Sequence, residues 1–278
     1  MTWKVVKFLA GVDQREIALA ILAEYPFTAF QETEDGLEAY ISAVDWTADL
    51  QEALHREQGP HWTSFSVSEM ADQNWNQLWE SNFEPVDLAP FCVIRAVFHE
   101  PRPDVLHDLV IQPERAFGTG HHATTRMMVQ GLEHLELGGK SVLDFGAGTA
   151  VLAILAARLG AGRVTAVEIE EPACISAQSN VERNGVEDRV TIVQGDLHAV
   201  PGLKYHLILA NINRNVLLES ISTLDQHLWP GGRIGLSGYL PQDCPMLEES
   251  CQRAGWQLER TTTDTGWIAQ WWLKPENS

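Results

Sequence analysis

A short glycine-containing segment and an acidic residue downstream of it are the residues of this sequence best suited to bind a ligand. The segment Val142–Gly148 reads VLDFGAG, and Glu168 follows about 20 residues later at the end of the next apolar run. Gly146 and Gly148 lack a Cβ, so the backbone can turn tightly and approach a ligand closely. The amides at the start of the following helix would then face that ligand. The pattern predicts a site for a nucleoside-containing cofactor.

Two classes of cofactor compete for this loop. A dinucleotide requires a small third residue in G-x-G-x-x-G/A, but Val151 stands there, and Asp144 would repel a pyrophosphate. S-adenosylmethionine has no phosphate, and its sulfonium and ammonium groups tolerate nearby carboxylates. We therefore predict S-adenosylmethionine, with Asp144, Gly146, Gly148 and Glu168 as contacts. A nicotinamide-dependent oxidoreductase is the alternative, and Glu168 as an ordinary acid at a strand end is the alternative for that residue.

A polar residue also ends a later apolar run, where Asn211 follows Leu207–Ala210. Methyl transfer to an amine is a displacement by a neutral nitrogen lone pair, and orientation supplies most of its acceleration. An amide oxygen can accept the hydrogens of the amine and aim its lone pair. We predict that Asn211 is catalytic and also contacts the cofactor. The alternative is that it caps the next helix.

The loop at residues 116–125, AFGTGHHATT, precedes a predicted helix. Phe117 is predicted to cover the cofactor as an apolar lid, and Thr124 is a candidate cofactor contact. The alternative is that Thr124 or Thr125 only caps the helix. The two adjacent histidines do not predict a metal site, because neighbouring residues rarely converge on one ion and no partner cluster is evident.

Alternating elements in the larger part of the chain explain how these residues meet. Helices are predicted near 125–136, 150–159, 171–184, 214–227 and 242–254, and strands at 141–145, 164–168, 190–194, 206–210, 233–237, 256–262 and 267–273. This alternation is typical of a doubly wound α/β sheet, which binds ligands outside the carboxyl ends of its strands. The last two strands form a predicted hairpin. Seven strands with a terminal hairpin favour a Rossmann-like methyltransferase domain over a dehydrogenase.

The first part of the chain has a different pattern. Residues 1–68 predict the order β-α-β-β-α-β of a ferredoxin-like α+β domain. Residues 69–87, which include Trp75 and Trp79 one helical turn apart, predict a helical linker. The catalytic α/β domain is then predicted to occupy residues 88–278.

Composition restricts the function classes. The chain has 278 residues, 45% of them hydrophobic, and a formal net charge of −19. That charge disfavours a nucleic-acid substrate bound through its phosphates and favours a basic partner, although it also simply keeps a protein in solution. We predict a cytoplasmic location for three reasons. The four cysteines lack metal or redox spacing, no apolar run is long enough to span a membrane, and no signal peptide is recognisable.

Four segments together resemble the PrmA family, which methylates protein eleven of the large ribosomal subunit. They are Glu114–Thr125, Val142–Gly148, Val164–Glu170 and Ala210–Ile212. The resemblance implies methylation of lysine side chains and the α-amine by S-adenosylmethionine, usually to trimethylation. It also implies that the first domain recognises the substrate protein and that Thr124, Gly146, Glu168 and Asn211 contact the cofactor. We expect a monomer without a direct nucleic-acid partner.

This sequence departs from the family pattern at two positions. Many relatives have glycine where Ala150 stands and aspartate where Glu168 stands. We expect the first change to be tolerated within the start of a helix, and the second to lengthen the reach of the carboxylate towards the ribose. The Asn-Pro-Pro-aromatic motif of other amino-group methyltransferases is absent, because Ile212 and Asn213 follow Asn211. This argues against methylation of glutamine or adenine.

The charge of the first domain agrees with a basic substrate. Residues 1–68 carry four basic residues against eleven acids, a net charge of −7. Two alternatives remain. One is a protein-lysine methyltransferase with another basic protein as its substrate, and the other is a non-catalytic ribosome-associated binding module that kept a cofactor pocket.

Overall fold

The computed structural model describes seven stretches of the chain: residues 3–11, 14–23, 25–33, 35–59, 61–69, 84–112 and 120–276. Most of the predicted linker, and the predicted lid residue Phe117, lie outside these residues. The chain divides into two units, Met1–Phe83 and Glu84–Ser278.

The first unit contains an antiparallel sheet and two helices. Its strands pair in the order β2-β3-β1-β4. Leu22 on the first helix and Leu54 on the second are fully buried in one cluster with Val6 and Phe8 of the first strand. The elements in chain order are β1 (Trp3–Leu9), α1 (Arg15–Leu22), β2 (Ala29–Thr33), β3 (Gly36–Ser42), α2 (Ala48–Glu57) and β4 (Ser64–Glu69). Both helices therefore bury their apolar faces in the same core.

Three short strands open the second unit. They are β5 (Val86–Leu88), β6 (Cys92–Arg95) and β7 (His107–Val110), and they form a sheet in that order. The first of them occupies positions that the sequence assigned to the end of the linker.

The main sheet of the second unit follows, with helices between its strands. Within the described residues its order is β10-β9-β8-β11-β12-β14-β13, in which the first five strands are parallel and β14 pairs antiparallel with both β12 and β13. The strands are β8 (Ser141–Phe145), β9 (Arg163–Glu168), β10 (Val190–Gln194), β11 (Tyr205–Asn211), β12 (Leu228–Tyr239), β13 (Gln257–Asp264) and β14 (Trp267–Leu273). The helices are α3 (Ala123–Leu132), α4 (Val151–Arg158), α5 (Glu171–Arg183), α6 (Arg214–His227) and α7 (Cys244–Arg253).

Alternate residues of the central strands enter two cores on opposite faces of the sheet, as the two-residue period of a strand requires. Val142 and Leu209 lie in the core that includes α3, α4 and α5. Leu143 and Ile208 lie in the core that includes α6 and α7. This double covering explains why the central strands read as nearly continuous apolar runs.

The strand order changes direction between β8 and β11. The chain proceeds from β8 to β9 and β10 on one side, and then returns to β11 on the other side of β8. Such a switch point leaves a crevice at the carboxyl ends of the strands, where open α/β sheets bind ligands. No helix in the described part of the chain combines the length and the apolar character needed to cross a bilayer.

Candidate active site

A cavity of about 490 Å³ opens at this switch point. Its size falls in the range of roughly 300–1,000 Å³ that small-molecule sites occupy. Five predicted contact residues line it: Thr124, Gly146, Gly148, Glu168 and Asn211. The geometry thus brings together residues that are up to 87 positions apart, counting from Thr124 to Asn211.

The glycine loop between β8 and α4 keeps its own amides occupied. The N–H groups of Gly146 and Ala147 both donate to the carbonyl of Val167, at 2.9 and 3.0 Å. The N–H of Gly148 donates to Oε2 of Glu168 at 2.8 Å. The amides expected to face the ligand were those at the start of α4, whereas these three amides of the preceding loop already have acceptors within the protein. Because a pyrophosphate needs such amides as donors, this arrangement disfavours a dinucleotide.

Asp144 lies behind the loop and does not line the cavity. Its side chain is 1% exposed, and Oδ2 accepts a hydrogen bond of 3.0 Å from the N–H of Ala153 in the first turn of α4. Burial raises the pKa of Asp144 to about 7, with a smaller contribution from the charge of Glu168. The prediction of Asp144 as a cofactor contact is thus corrected: this face of β8 points under the helix, and the carboxyl group secures the start of that helix.

Glu168 ends β9 and faces the cavity. Its Oε2 accepts from Gly148, and its Oε1 accepts from the N–H groups of Ile169 and Glu170 at 2.8 and 3.1 Å. A carboxylate offers about four lone-pair positions, so one on Oε2 stays available for a ribose hydroxyl in this conformation. The longer side chain therefore joins two neighbouring loops while it borders the cavity.

Asn211, at the end of β11, contributes an unusual polar atom. The residue is only 9% exposed, and its Nδ2 donates to Oγ1 of Thr125 on α3 at 3.3 Å. Its Oδ1 is buried and has no hydrogen-bond partner among the described residues. The helix that follows is capped by Asn213 instead, whose Oδ1 accepts from the N–H of Val216 at 3.1 Å. Helix capping therefore does not explain Asn211.

His122 caps α3, so the alternative that assigned the cap to Thr124 or Thr125 is wrong. The Nδ1 atom of His122 lies 2.7 Å from Oγ1 of Thr124, and Thr124 is fully buried. The imidazole packs edge-on against Trp267 with ring centroids 4.6 Å apart. Desolvation, aided by the charge of Arg126, lowers the pKa of His122 and favours a neutral ring. Among the described residues no group of three or more His, Cys, Asp or Glu side chains is placed to hold a metal.

Ile212 is enclosed by two glycines at the floor of the cavity. Gly238 has φ of +96°, and a Cβ there would come within 2.2 Å of the carbonyl oxygen of Ile212. A Cβ on Gly146, where φ is +75°, would lie 2.1 Å from Cγ2 of Ile212. These two close approaches, together with the left-handed φ of both residues, favour glycine at both positions and place Ile212 directly against them.

The charges around the cavity fit a cationic cofactor. Two carboxylates, Glu168 and Asp196, line it, and none of its described lining residues is lysine or arginine. A pyrophosphate would therefore meet acids without a compensating cation, whereas S-adenosylmethionine carries positive charge and no phosphate. Glu168 and Asp196 would hold its nucleoside portion.

Comparison with known proteins identifies the family of the chain. The family model described as ribosomal protein L11 methyltransferase (PrmA) matches residues 13–273. The chain belongs to the PrmA family. A ribosomal protein L11 methyltransferase of Porphyromonas gingivalis is 38% identical over 259 residues, covering 91% of this chain and 89% of that relative. One of Chlorobaculum parvum is 35% identical over 279 residues, covering 95% and 94% of the two chains.

Solved structures resemble this chain as well. The ribosomal protein L11 methylase of Lactobacillus delbrueckii subsp. bulgaricus matches with a TM-score of 0.64 and 28% identity, covering 69% of this chain and 100% of that one. A methyltransferase of Pyrococcus furiosus shares the fold at a TM-score of 0.51 and 21% identity. The α/β methyltransferase fold of the PrmA chain is thus confirmed.

The departure from the PrmA pattern at Ala150 has a structural cost that the sequence did not indicate. Ala150 precedes α4 rather than lying within it, and its φ of +62° is left-handed. That conformation costs a residue with a Cβ about 1–2 kcal/mol. The methyl group is fully buried, which returns about 0.8 kcal/mol. Alanine is therefore tolerated at this position because the free energy of backbone strain and that of burying the methyl group oppose each other and are of similar size.

Asp196 is a site residue that sequence reasoning missed. It lies two residues after β10, lines the cavity, and accepts a hydrogen bond of 2.8 Å from the N–H of His198 through Oδ1. The signal was available, because a polar residue just after a parallel strand is the same signal that identified Glu168 and Asn211. Trp267 and His122 were missed as lining residues for a different reason: only the tertiary fold places them at the cavity.

Proposed function

We propose that this chain is an S-adenosylmethionine-dependent N-methyltransferase of ribosomal protein L11, acting on lysine side chains and the N-terminal α-amine. The observation that carries this function is the buried, unpartnered Oδ1 of Asn211 at the wall of the cofactor cavity. A buried acceptor without a donor costs roughly 1–3 kcal/mol, which a substrate amine would recover by donating to it. The family of the chain and its relatives supply the identity of the substrate.

S-adenosylmethionine supplies the methyl group from its sulfonium. The protein positions the reactants, and the residues divide this work. Glu168 and Asp196 hold the nucleoside end of the cavity, while Asn211 accepts a hydrogen from the amine and thereby directs the nitrogen lone pair. Thr125 fixes the amide of Asn211 through the hydrogen bond from Nδ2. Orientation of this kind replaces a bimolecular encounter by a reaction within one complex.

The first unit is the proposed recognition domain. Its strand order and two helices on one core support a ferredoxin-like fold for residues 1–68. Its net charge of −7 suits a basic ribosomal protein. Five further statements remain predictions from the sequence: the linker at 69–87, the catalytic domain at 88–278, a monomeric state, a cytoplasmic location and the lack of a direct nucleic-acid partner.

Methyl transfer to purified ribosomal protein L11 tests the function directly. We expect intact-mass increments of one methyl group that depend on S-adenosylmethionine and rise with pH up to about 9, since more amine is then neutral. No increment at any pH would leave the non-catalytic binding module as the better description. Increments on another basic protein but not on L11 would redirect the proposal to that client.

Calorimetry separates this function from the oxidoreductase alternative. We expect S-adenosylhomocysteine to bind and NAD to give no measurable heat, because the loop amides are occupied and the cavity wall is acidic. Tight binding of NAD alone would overturn the assignment of the cofactor.

A further inference from the structure

A second, smaller cavity of about 230 Å³ adjoins the cofactor cavity. The two share three lining residues, Asn213, Gly238 and Trp267. The cofactor cavity therefore does not end at Asn211 but continues past it into a separate space, whose far wall includes Arg214, Leu240 and Asp243.

The sheet order shows on which side this second cavity lies. The proposed nucleoside contacts, Glu168 and Asp196, follow β9 and β10, which lie on one side of β8. The second cavity is lined by residues that follow β11, by residues at and after the end of β12, and by Trp267, which begins β14, on the other side. Asn211 stands between the two groups. The second cavity thus lies at the end of the cleft opposite the nucleoside.

Arg214 occupies this cavity in a position that does not favour stability. It is the first residue of α6, where the helix dipole disfavours a cation by about 0.3–1 kcal/mol. Asp243 holds it there: Nη1 donates to Oδ1 of Asp243 at 2.9 Å, while Nε and Nη2 donate to Oδ1 of Asn215 at 3.1 and 3.0 Å. The side chain is nevertheless 42% exposed. A guanidinium has five N–H donors, so donors remain for a ligand.

The second cavity also suits a neutral amine. Asp243 is its only acidic lining residue among those described, and it accepts from Arg214 and, through Oδ2, from the N–H of Leu240 at 3.1 Å. The hydrogen bond from Arg214 lowers the pKa of Asp243 and keeps it ionised. An unpaired carboxylate here would stabilise the ammonium form, which cannot attack a methyl group. The ion pair avoids this in a protein of net charge −19.

We propose that the second cavity is the acceptor subsite, which receives the polypeptide segment bearing the amine, and that Arg214 donates to a backbone carbonyl of that segment. This inference rests on the proposed function and adds to it the residue that binds the acceptor peptide. Asp243 is the positioning residue that aims the guanidinium.

The test compares two arginines with matched exposure. Arg214→Gln removes the cation from the subsite, whereas Arg233→Gln removes a 41% exposed arginine that pairs with Glu259 at 2.8 Å between β12 and β13. With ribosomal protein L11 as substrate we expect Arg214→Gln to raise KM for L11 about tenfold, the effect of one charge-assisted hydrogen bond. The Kd of S-adenosylhomocysteine should stay within about twofold of the wild-type value, because the cofactor contacts lie elsewhere. Arg233→Gln should change neither quantity.

An unchanged KM for L11 in Arg214→Gln, an equal rise in Arg233→Gln, or an equal loss of S-adenosylhomocysteine affinity would overturn the proposal. Asp243→Asn provides a second route if Arg214→Gln does not fold. It leaves the guanidinium in place but weakens its anchor, so KM for L11 should rise by a smaller factor at unchanged cofactor affinity, and a wild-type KM would again count against the subsite. Wild-type enzyme that fails to methylate L11 at all would instead refute the proposed function.

Discussion

The two halves of the cleft treat their polar groups in opposite ways. In the half built on β8, β9 and β10, the loop amides of Gly146, Ala147 and Gly148 all have acceptors, and the carboxylate of Glu168 accepts three backbone hydrogen bonds. In the half built on β11 and β12, the Oδ1 atom of Asn211 is buried with no partner among the described residues.

Under the proposed function, this difference corresponds to two kinds of ligand. A cofactor is the same molecule in every turnover, so its half of the cleft can be preorganised with fixed internal hydrogen bonds. An acceptor amine loses an N–H donor with each methyl group that it gains. The other half therefore has an acceptor, Oδ1 of Asn211, that no described protein group occupies. The comparison predicts that substitutions in one half impair binding of the cofactor, while substitutions in the other impair catalysis.

Asn211→Ala should have the largest effect and fall on kcat. Loss of the group that orients the amine should lower kcat about 100-fold, as misplacement of a reacting group does. Steady-state kinetics with L11 and calorimetry with S-adenosylhomocysteine separate the two effects. A Kd that rises as much as kcat falls would assign Asn211 to the cofactor alone and would break the distinction between the halves.

Glu168→Ala should instead raise the Kd of S-adenosylhomocysteine, by about 30-fold, because hydrogen bonds to a charged group contribute roughly 1.5–3 kcal/mol each. We expect this loss of affinity to exceed that of Asn211→Ala. Glu168→Gln is the matched control, since it keeps the shape of the side chain and one acceptor oxygen. Its Kd for S-adenosylhomocysteine should lie between those of wild type and Glu168→Ala. Equal affinity of Glu168→Ala, Asn211→Ala and wild type would refute both assigned roles.

Asp144 tests whether the cofactor half has a cost in stability. Burial raises its pKa to about 7, far above the ordinary 3.8. Between these values the folded protein keeps a proton that the unfolded chain has released. The stability that this proton contributes is complete below about pH 4 and is lost as the pH rises through about 7. Asp144→Asn has no such loss.

Urea unfolding of wild type and Asp144→Asn between about pH 5.5 and about pH 7 measures this term. As the pH rises over that interval, the free energy of unfolding of Asp144→Asn should increase by about 1.5 kcal/mol relative to that of wild type. A constant difference between the two proteins would mean that Asp144 does not titrate in this interval.

Ala150→Gly should have the smallest effect. Relief of left-handed strain stabilises the variant by about 1–2 kcal/mol, while the lost methyl and the freer unfolded chain oppose it by a similar amount. We expect thermal unfolding to give a change within about 0.5 kcal/mol of zero. Ala153→Gly, inside the helix that Ala150 precedes and equally buried, is the control and should cost about 1 kcal/mol or more. A comparable loss in Ala150→Gly would show that packing of the methyl outweighs the strain.

Much of the catalytic fold was predictable because its strands and helices stand out in the sequence. Strands β8, β10 and β14 and helix α6 have the predicted bounds, since each is a clear apolar or periodic run between turn residues. The carboxyl-edge rule of parallel sheets then brought Glu168 and Asn211 into one cavity from sequence alone.

Side-chain direction and hydrogen-bond partners were not predictable. Asp144 and Glu168 are both acids beside the glycine loop, but only the second faces the cavity, because the first lies on the face that α4 covers. His122 caps α3 although threonine is the more usual capping residue, because tertiary packing on Trp267 orients its ring. Arg214 and Asp243 meet across 29 positions, which no local pattern encodes.

The enclosure of Ile212 by Gly146 and Gly238 has a consequence for how this enzyme can evolve. An added methyl group at Gly238 would require the backbone of Ile212 to move, and one at Gly146 would displace the Ile212 side chain and strain a left-handed backbone. We therefore expect changes in the range of accepted amines to arise on the far wall of the second cavity, at positions such as Leu240, which lies outside the strands. An effort to redirect the enzyme to new amines would begin with a library at that wall and leave both glycines untouched.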